Sequence, residues 1–115
     1  MTCLFCQIAS GNTPTSLIYQ DEWVVGFRDI APKAPVHFLL VPRRHLASLN
    51  DATPEDQALL GHLLLAAQAV ARQQKIDQSG FRLVVNTGPD GGQSVYHLHM
   101  HMLGGGHLPF RMCAE

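Results

Sequence analysis

The chain has 115 residues, 46% of them hydrophobic, with eight basic and nine acidic side chains and a formal net charge of −1. That is enough apolar material for one small globular domain over residues 1–115 and too little length for a second. So balanced a charge offers neither nucleic acid nor an anionic membrane a basic face, and excludes both as principal partners. Three cysteines do not make a disulfide framework, and neither a leader-like N-terminus nor an apolar run of about 18 residues is present; the expected compartment is the cytoplasm.

In chain order, Cys3-x-x-Cys6 comes first and is a metal or redox candidate, whereas Cys113 at the other end is given no role. Thr15 to Gln20 and Trp23 to Arg28 are rich in β-formers and flank Asp21-Glu22, which predicts a hairpin. Pro32 and Pro35 keep residues 29–35 extended, and a third strand runs from His37 to Val41 with Pro42 ending it. Thr53 followed by Pro54, Glu55 and Asp56 is a helix start: a capping hydroxyl, a first-turn proline and acids at the positive end of the dipole. From there Leu59, Leu63, Ala66 and Val70, with Leu60, Leu64, Ala67 and Ala71, recur at helical spacing to about Gln74 and predict one broad stripe packed on a sheet. Phe81 to Asn86 is a fourth strand, and a glycine-rich turn from Gly88 to Gly92 follows it.

The most informative segment is His97-Leu98-His99-Met100-His101-Met102-Leu103. Alternate residues of a strand share a face, so three imidazoles project one way while Leu98, Met100 and Met102 turn into a core. Gathering titratable groups at that hydrophobic cost points to chemistry. In the preceding turn the consecutive glycines Gly91 and Gly92 can aim backbone amides at an anion, with Gln93 and Ser94 as neutral donors; an ordinary hairpin loop is the other reading.

These residues resemble the histidine-triad family, whose signature is His-φ-His-φ-His-φ-φ with φ apolar, which residues 97–103 match without a gap. Leu4 to Ile8, Phe27 to His37 and Asn86 to Gly105 extend the resemblance to the Hint branch over nearly the whole chain. It implies an α+β fold, an antiparallel sheet of about five strands with one long helix and a short N-terminal helix. It also implies a homodimeric hydrolase that cleaves the P–N bond of purine nucleoside 5′-phosphoramidates, such as adenosine 5′-monophosphoramidate, needing no catalytic cofactor. Carried over by position, His99 is the nucleophile that forms a nucleotidyl-histidine. His101 and Ser94 serve the phosphate and the leaving group, and His37 and His97 orient the nucleophile. Asp29 and Ile30 contact the ribose and base, and Asn86, Gly92, Gln93 and Val95 fall on the phosphate side. Phe5, Ile8, Phe27 and Leu39 wall the base pocket or are simply core. In some relatives a Cys-x-x-Cys joins two histidines on a structural zinc, which here would be Cys3, Cys6, His45 and His97. The long helix and the fourth strand are the candidate dimer surface. The tail from Gly104 departs from the family and leaves leaving-group preference open.

Two other functions fit the residues. A zinc hydrolase could use His97, His99 and His101 as ligands, though alternate strand positions span roughly 13 Å between the outer Cα atoms, within reach for two and strained for three. A nucleotide-binding interaction module with little turnover is the third. His62 and His107 receive no role.

Overall fold

The alternation read from the sequence becomes a sheet with two covered faces. The computed structural model describes residues 3–109; Cys113 lies outside them. A short helix α1 (Leu4–Ala9) precedes strands β1 (Leu17–Gln20), β2 (Val24–Arg28) and β3 (Val36–Pro42), then helix α2 (Gln57–Gln73), β4 (Phe81–Val84) and β5 (Met100–Gly104). The strands form one antiparallel sheet in the order β1-β2-β3-β5-β4, so the strand carrying His101 lies between β3 and β4. Val24, Phe38, Leu40, Met100 and Met102 point to α2, where Leu63, Ala67 and Val70 meet them. Their neighbours Val25, Phe27, Leu39 and Val41 point the other way, onto Phe5, Ile8 and Ala9 of α1. Among the described residues no helix is long and apolar enough to cross a membrane.

Three expectations change. The regular ladder of the histidine strand begins only at Met100, because the Leu98 amide donates to the Leu46 carbonyl at 2.6 Å rather than to a neighbouring strand. β4 stops at Val84, two residues early. The apolar stripe of α2 is narrower than its leucines suggest: small Ala66, Ala67 and Ala71 let the helix sit close to the sheet, and Leu64 stays 54% exposed. The start is as expected, with the Asp56 carboxylate accepting the Thr53 amide at 2.9 Å across a single 3₁₀ turn.

His62 stitches α2 to the β1–β2 hairpin. Its Nε2 lies 2.7 Å from Asp21 Oδ2, which also accepts the Tyr19 hydroxyl at 2.7 Å, and Asp21 Oδ1 takes the Trp23 and Val24 amides at 2.8 Å each. Burial pushes the Asp21 carboxyl up, but those donors outweigh it and hold it well below the usual carboxylate range.

Helix α2 ends in a Schellman pair, Ile76 N–H to Ala71 O at 2.9 Å and Lys75 N–H to Arg72 O at 3.1 Å, with buried Ile76 as the hydrophobic contact. The left-handed position is Lys75 at φ 60°, where glycine carries no Cβ penalty. Lys75→Gly should therefore raise unfolding free energy by about 1 kcal/mol in urea titrations; an unchanged or lower midpoint would show that the lysine makes a compensating contact.

Candidate active site and metal cluster

His99 immediately precedes β5, and its Nδ1 lies 2.8 Å from the carbonyl oxygen of His97. A carbonyl can only accept, so Nδ1 carries the proton and the lone pair of the neutral ring is on Nε2. His101 stands opposite Leu39 of β3, on the α1 side of the sheet. Both imidazoles line one cleft of about 300 Å³, and their ring centroids are 5.3 Å apart.

The same logic fixes His101. The Lys33 amide donates to His37 Nδ1 at 3.0 Å, so the proton of neutral His37 sits on Nε2, 2.8 Å from His101 Nδ1. His101 Nδ1 accepts it, and the proton of His101 is left on Nε2. Burial holds His37 below the ordinary histidine value, Asp29 opposes this, and His101 and the Lys33 ammonium add to it. Asp29 Oδ2 lies 3.5 Å from His37 Nε2 and 3.9 Å from His101 Nδ1, while Oδ1 accepts the Ala31 amide at 2.7 Å. A lone-pair nitrogen and a proton-bearing nitrogen thus belong to neighbouring rings of one cleft, as a nucleophile and a general acid require.

The walls are largely those expected: Phe5, Ile8, Phe27 and Leu39 form an apolar side, and Asp29, Ile30, Ser94 and Val95 also line the cleft. Phe5 and Phe27 pack edge to face at 5.5 Å, and Phe5 meets His99 in the same way at 5.2 Å. Asn86, Gly92 and Gln93 do not line the cleft. The Gln93 carboxamide turns inward, donating to the Ala47 and Val95 carbonyls at 2.7 and 3.0 Å and accepting the Gly88 amide at 3.0 Å, and Asn86 donates to the Gly91 carbonyl at 2.7 Å. They brace the loop that presents Ser94 and Val95. Leu4, Thr15, Arg28, Ala31 and Lys33 also line the cleft and were not singled out from the sequence. Helical spacing from Ile8 would have found Leu4; Thr15 was expected in the first strand but lies before β1, which starts at Leu17, and Lys33 comes from an irregular segment with no periodicity to reveal it.

His97 does not line the cleft. Its Nε2 donates to the Pro42 carbonyl at 2.7 Å, which leaves the Nδ1 lone pair pointing at Cys3 Sγ, Cys6 Sγ and His45 Nδ1, at 3.4, 3.5 and 3.2 Å; Cys6 Sγ is 3.4 Å from His45 Nδ1. A tetrahedral zinc with ordinary bond lengths needs edges of about 3.3 Å between nitrogens and about 3.6 Å between nitrogen and sulfur. The four expected ligands therefore fit the ion. Their atoms lie within 4.8 Å of one another, and Asp29, His37 and His101 form a separate group on the same criterion. His99 belongs to neither, so the three triad imidazoles do not converge on a single metal as the zinc-hydrolase alternative requires.

Two outcomes follow from this geometry. A Cβ on Gly91 would collide with the Thr87 carbonyl oxygen, a backbone atom that no rotamer change can move; Gly91→Ala should cost about 1–3 kcal/mol in denaturant titrations, and an unchanged midpoint would show that the loop is not braced as described. Because the native pKa of His37 lies below its ordinary 6.5, the unfolded chain binds more protons just below that value. Stability is complete above about pH 6.5 and falls as pH drops from there toward the lowered native value. Urea midpoints at about pH 7.5 and about pH 5.5 should show that loss in the wild type and a smaller one in His37→Gln; equal slopes would contradict it.

Residues 2–110 match the family model described as scavenger mRNA decapping enzyme C-term binding. The purine nucleoside phosphoramidase of Escherichia coli K12 is 42% identical over 102 residues, 89% of this chain and 86% of that protein. A histidine triad protein from Clostridium difficile superposes with a TM-score of 0.94 at 41% identity, covering 97% of each chain. A zinc-bound histidine triad family protein from Mycobacterium smegmatis does so at 0.80 and 32% identity, covering all of this chain and 85% of that one. The chain is a histidine-triad family hydrolase.

Proposed function

We propose that the protein hydrolyses purine nucleoside 5′-phosphoramidates. The observation that carries this reading is the proton arrangement in the cleft, with the lone pair of His99 on Nε2 beside a proton on Nε2 of His101. His99 Nε2 attacks the α-phosphorus, a P–N bond to the imidazole forms and the P–N bond to the leaving amine breaks. The amine departs with the proton of His101 Nε2, while the His37 Nε2–H hydrogen bond at Nδ1 steadies the electron pair left on that ring; Ser94, which also lines the cleft, is placed to contact the leaving group. Water then attacks the phosphorus of the nucleotidyl-histidine, giving a proton back to His101 Nε2 as the P–N bond to His99 breaks and the 5′-monophosphate is released. The base lies against Phe5, Ile8, Phe27 and Leu39, and Asp29 accepts from the ribose hydroxyls. The phosphoramidase name of the Escherichia coli relative supports the same substrate class.

Zinc is the proposed structural ion at Cys3, Cys6, His45 and His97. It would supply a cross-link between the N-terminal segment and the histidine segment, and no chemistry in the cleft. The protein is proposed to be a cytoplasmic homodimer. β4 is an outer strand of the sheet with Phe81 exposed, Val85 just past its end is exposed too, and Leu64 and Leu65 of α2 are 54% and 63% exposed, an apolar surface suited to a second copy.

Release of AMP from adenosine 5′-phosphoramidate tests the chemistry. His99→Ala should lose at least about a thousandfold in kcat while keeping its circular dichroism, and wild-type turnover should survive a chelator that leaves the protein folded. AMP binding without turnover would point to the interaction module instead. Elemental analysis should find about one zinc per chain, and none in Cys3→Ser/Cys6→Ser. Light scattering should give about twice the 12.6 kDa chain mass; a monomer would overturn the dimer.

A further inference from the structure

One short helix serves both sites. Cys3 caps α1 and Cys6 lies within it, while Leu4, Phe5 and Ile8 of the same six residues line the cleft. A helix of that length has no stability of its own, so its position is set by what grips it. Two grips are independent of the cysteines: burial of Phe5 and Ile8, and the Arg43 guanidinium, whose Nη1 donates to the Ala9 carbonyl at 2.6 Å at the far end. At the near end the grip is the four-ligand cluster. Phe5 sits between the two cysteines in the chain, and its ring packs edge to face on both His97, a proposed metal ligand, and His99, with centroids 6.0 and 5.2 Å apart.

We infer that metal occupancy at Cys3, Cys6, His45 and His97 sets the affinity of the cleft for nucleotide, and that Phe5 is the positioning residue through which the two sites communicate. The inference rests on the zinc reading above. With the metal bound, both cysteines are fixed and the Phe5 ring is held at once against the base pocket and the His99 imidazole. Without it the first turn of α1 is released, the apolar wall loosens, and nucleotide must order it on binding. Such coupling is reciprocal: whatever factor zinc adds to AMP affinity, AMP adds to zinc affinity.

The experiment begins with elemental analysis of the purified full chain. Absence of zinc removes the metal reading, and the coupling with it. With zinc present, AMP is titrated calorimetrically into zinc-loaded and chelator-stripped protein, and zinc affinity is measured by competition with a chromophoric chelator with and without saturating AMP. The expected result is an about tenfold change in each direction, with far-ultraviolet circular dichroism retained after stripping. Phe5→Leu keeps an apolar side chain but loses the ring edges; it should still bind one zinc, and the linkage should shrink to less than about threefold. AMP should also shift the visible absorption of cobalt(II) substituted into the cluster, in the wild type and not in Phe5→Leu. Equal AMP affinities in loaded and stripped protein overturn the coupling while leaving the zinc site standing. So does global unfolding on stripping, which would make the linkage one of folding alone, and an undiminished linkage in Phe5→Leu removes Phe5 as its route.

Discussion

Three backbone groups decide what four imidazoles can do. The His97 carbonyl takes the Nδ1 proton of His99, the Pro42 carbonyl takes the Nε2 proton of His97, and the Lys33 amide occupies His37 Nδ1, which passes the constraint to His101 through a 2.8 Å contact. A histidine in water exchanges tautomers; one whose partner is a carbonyl or an amide cannot do so without leaving a buried polar group unpaired. From this one kind of interaction come a lone-pair nitrogen at His99, a proton-bearing nitrogen at His101 and a lone-pair nitrogen at His97, which are what the proposed nucleophile, acid and metal ligand need. The chemistry proposed for the cleft and for the candidate metal cluster both depend on where the backbone puts protons.

The fold earns its place by supplying those backbone groups. Strand β3 ends at Pro42 and so offers a carbonyl to His97, and it begins next to His37 after a loop whose prolines leave the Lys33 amide for the imidazole. Packing on opposite faces separates duties: α2 buries Met100 and Met102, while the other face keeps His101 beside Leu39 and α1. The inward carboxamide of Gln93 closes the loop behind Ser94, a job for a buried amide with all its groups satisfied.

Much of this was legible from residue order. β-Former content and proline punctuation located the first three strands, and alternation in residues 97–103 put His101 on the face opposite Met100 and Met102, because the strand period is two. The Thr53 cap and the helical stripe located α2. Less legible was anything decided by a partner distant in the chain. Leu98 pairs with Leu46 and delays β5 to Met100; Gln93, which looked like an anion donor, is taken by Ala47; Leu64, apolar and in phase, lies at the edge of a stripe that small alanines have narrowed. Lys33 and Thr15 reach the cleft from loops, where spacing carries no information about direction. The residue types of the candidate metal cluster were visible, and its spacing, which fits a tetrahedral ion, was not.

Long-range proton–nitrogen correlation of the histidine side chains tests the central claim most directly, because it reads which ring nitrogen carries each proton. Near pH 7.5 the neutral rings should be found with His99 in the Nδ1–H form, and His37, His97 and His101 in the Nε2–H form. A proton on Nε2 of His99, or on Nδ1 of His101, would contradict the account, since the first would leave no lone pair for attack and the second no proton for the leaving amine.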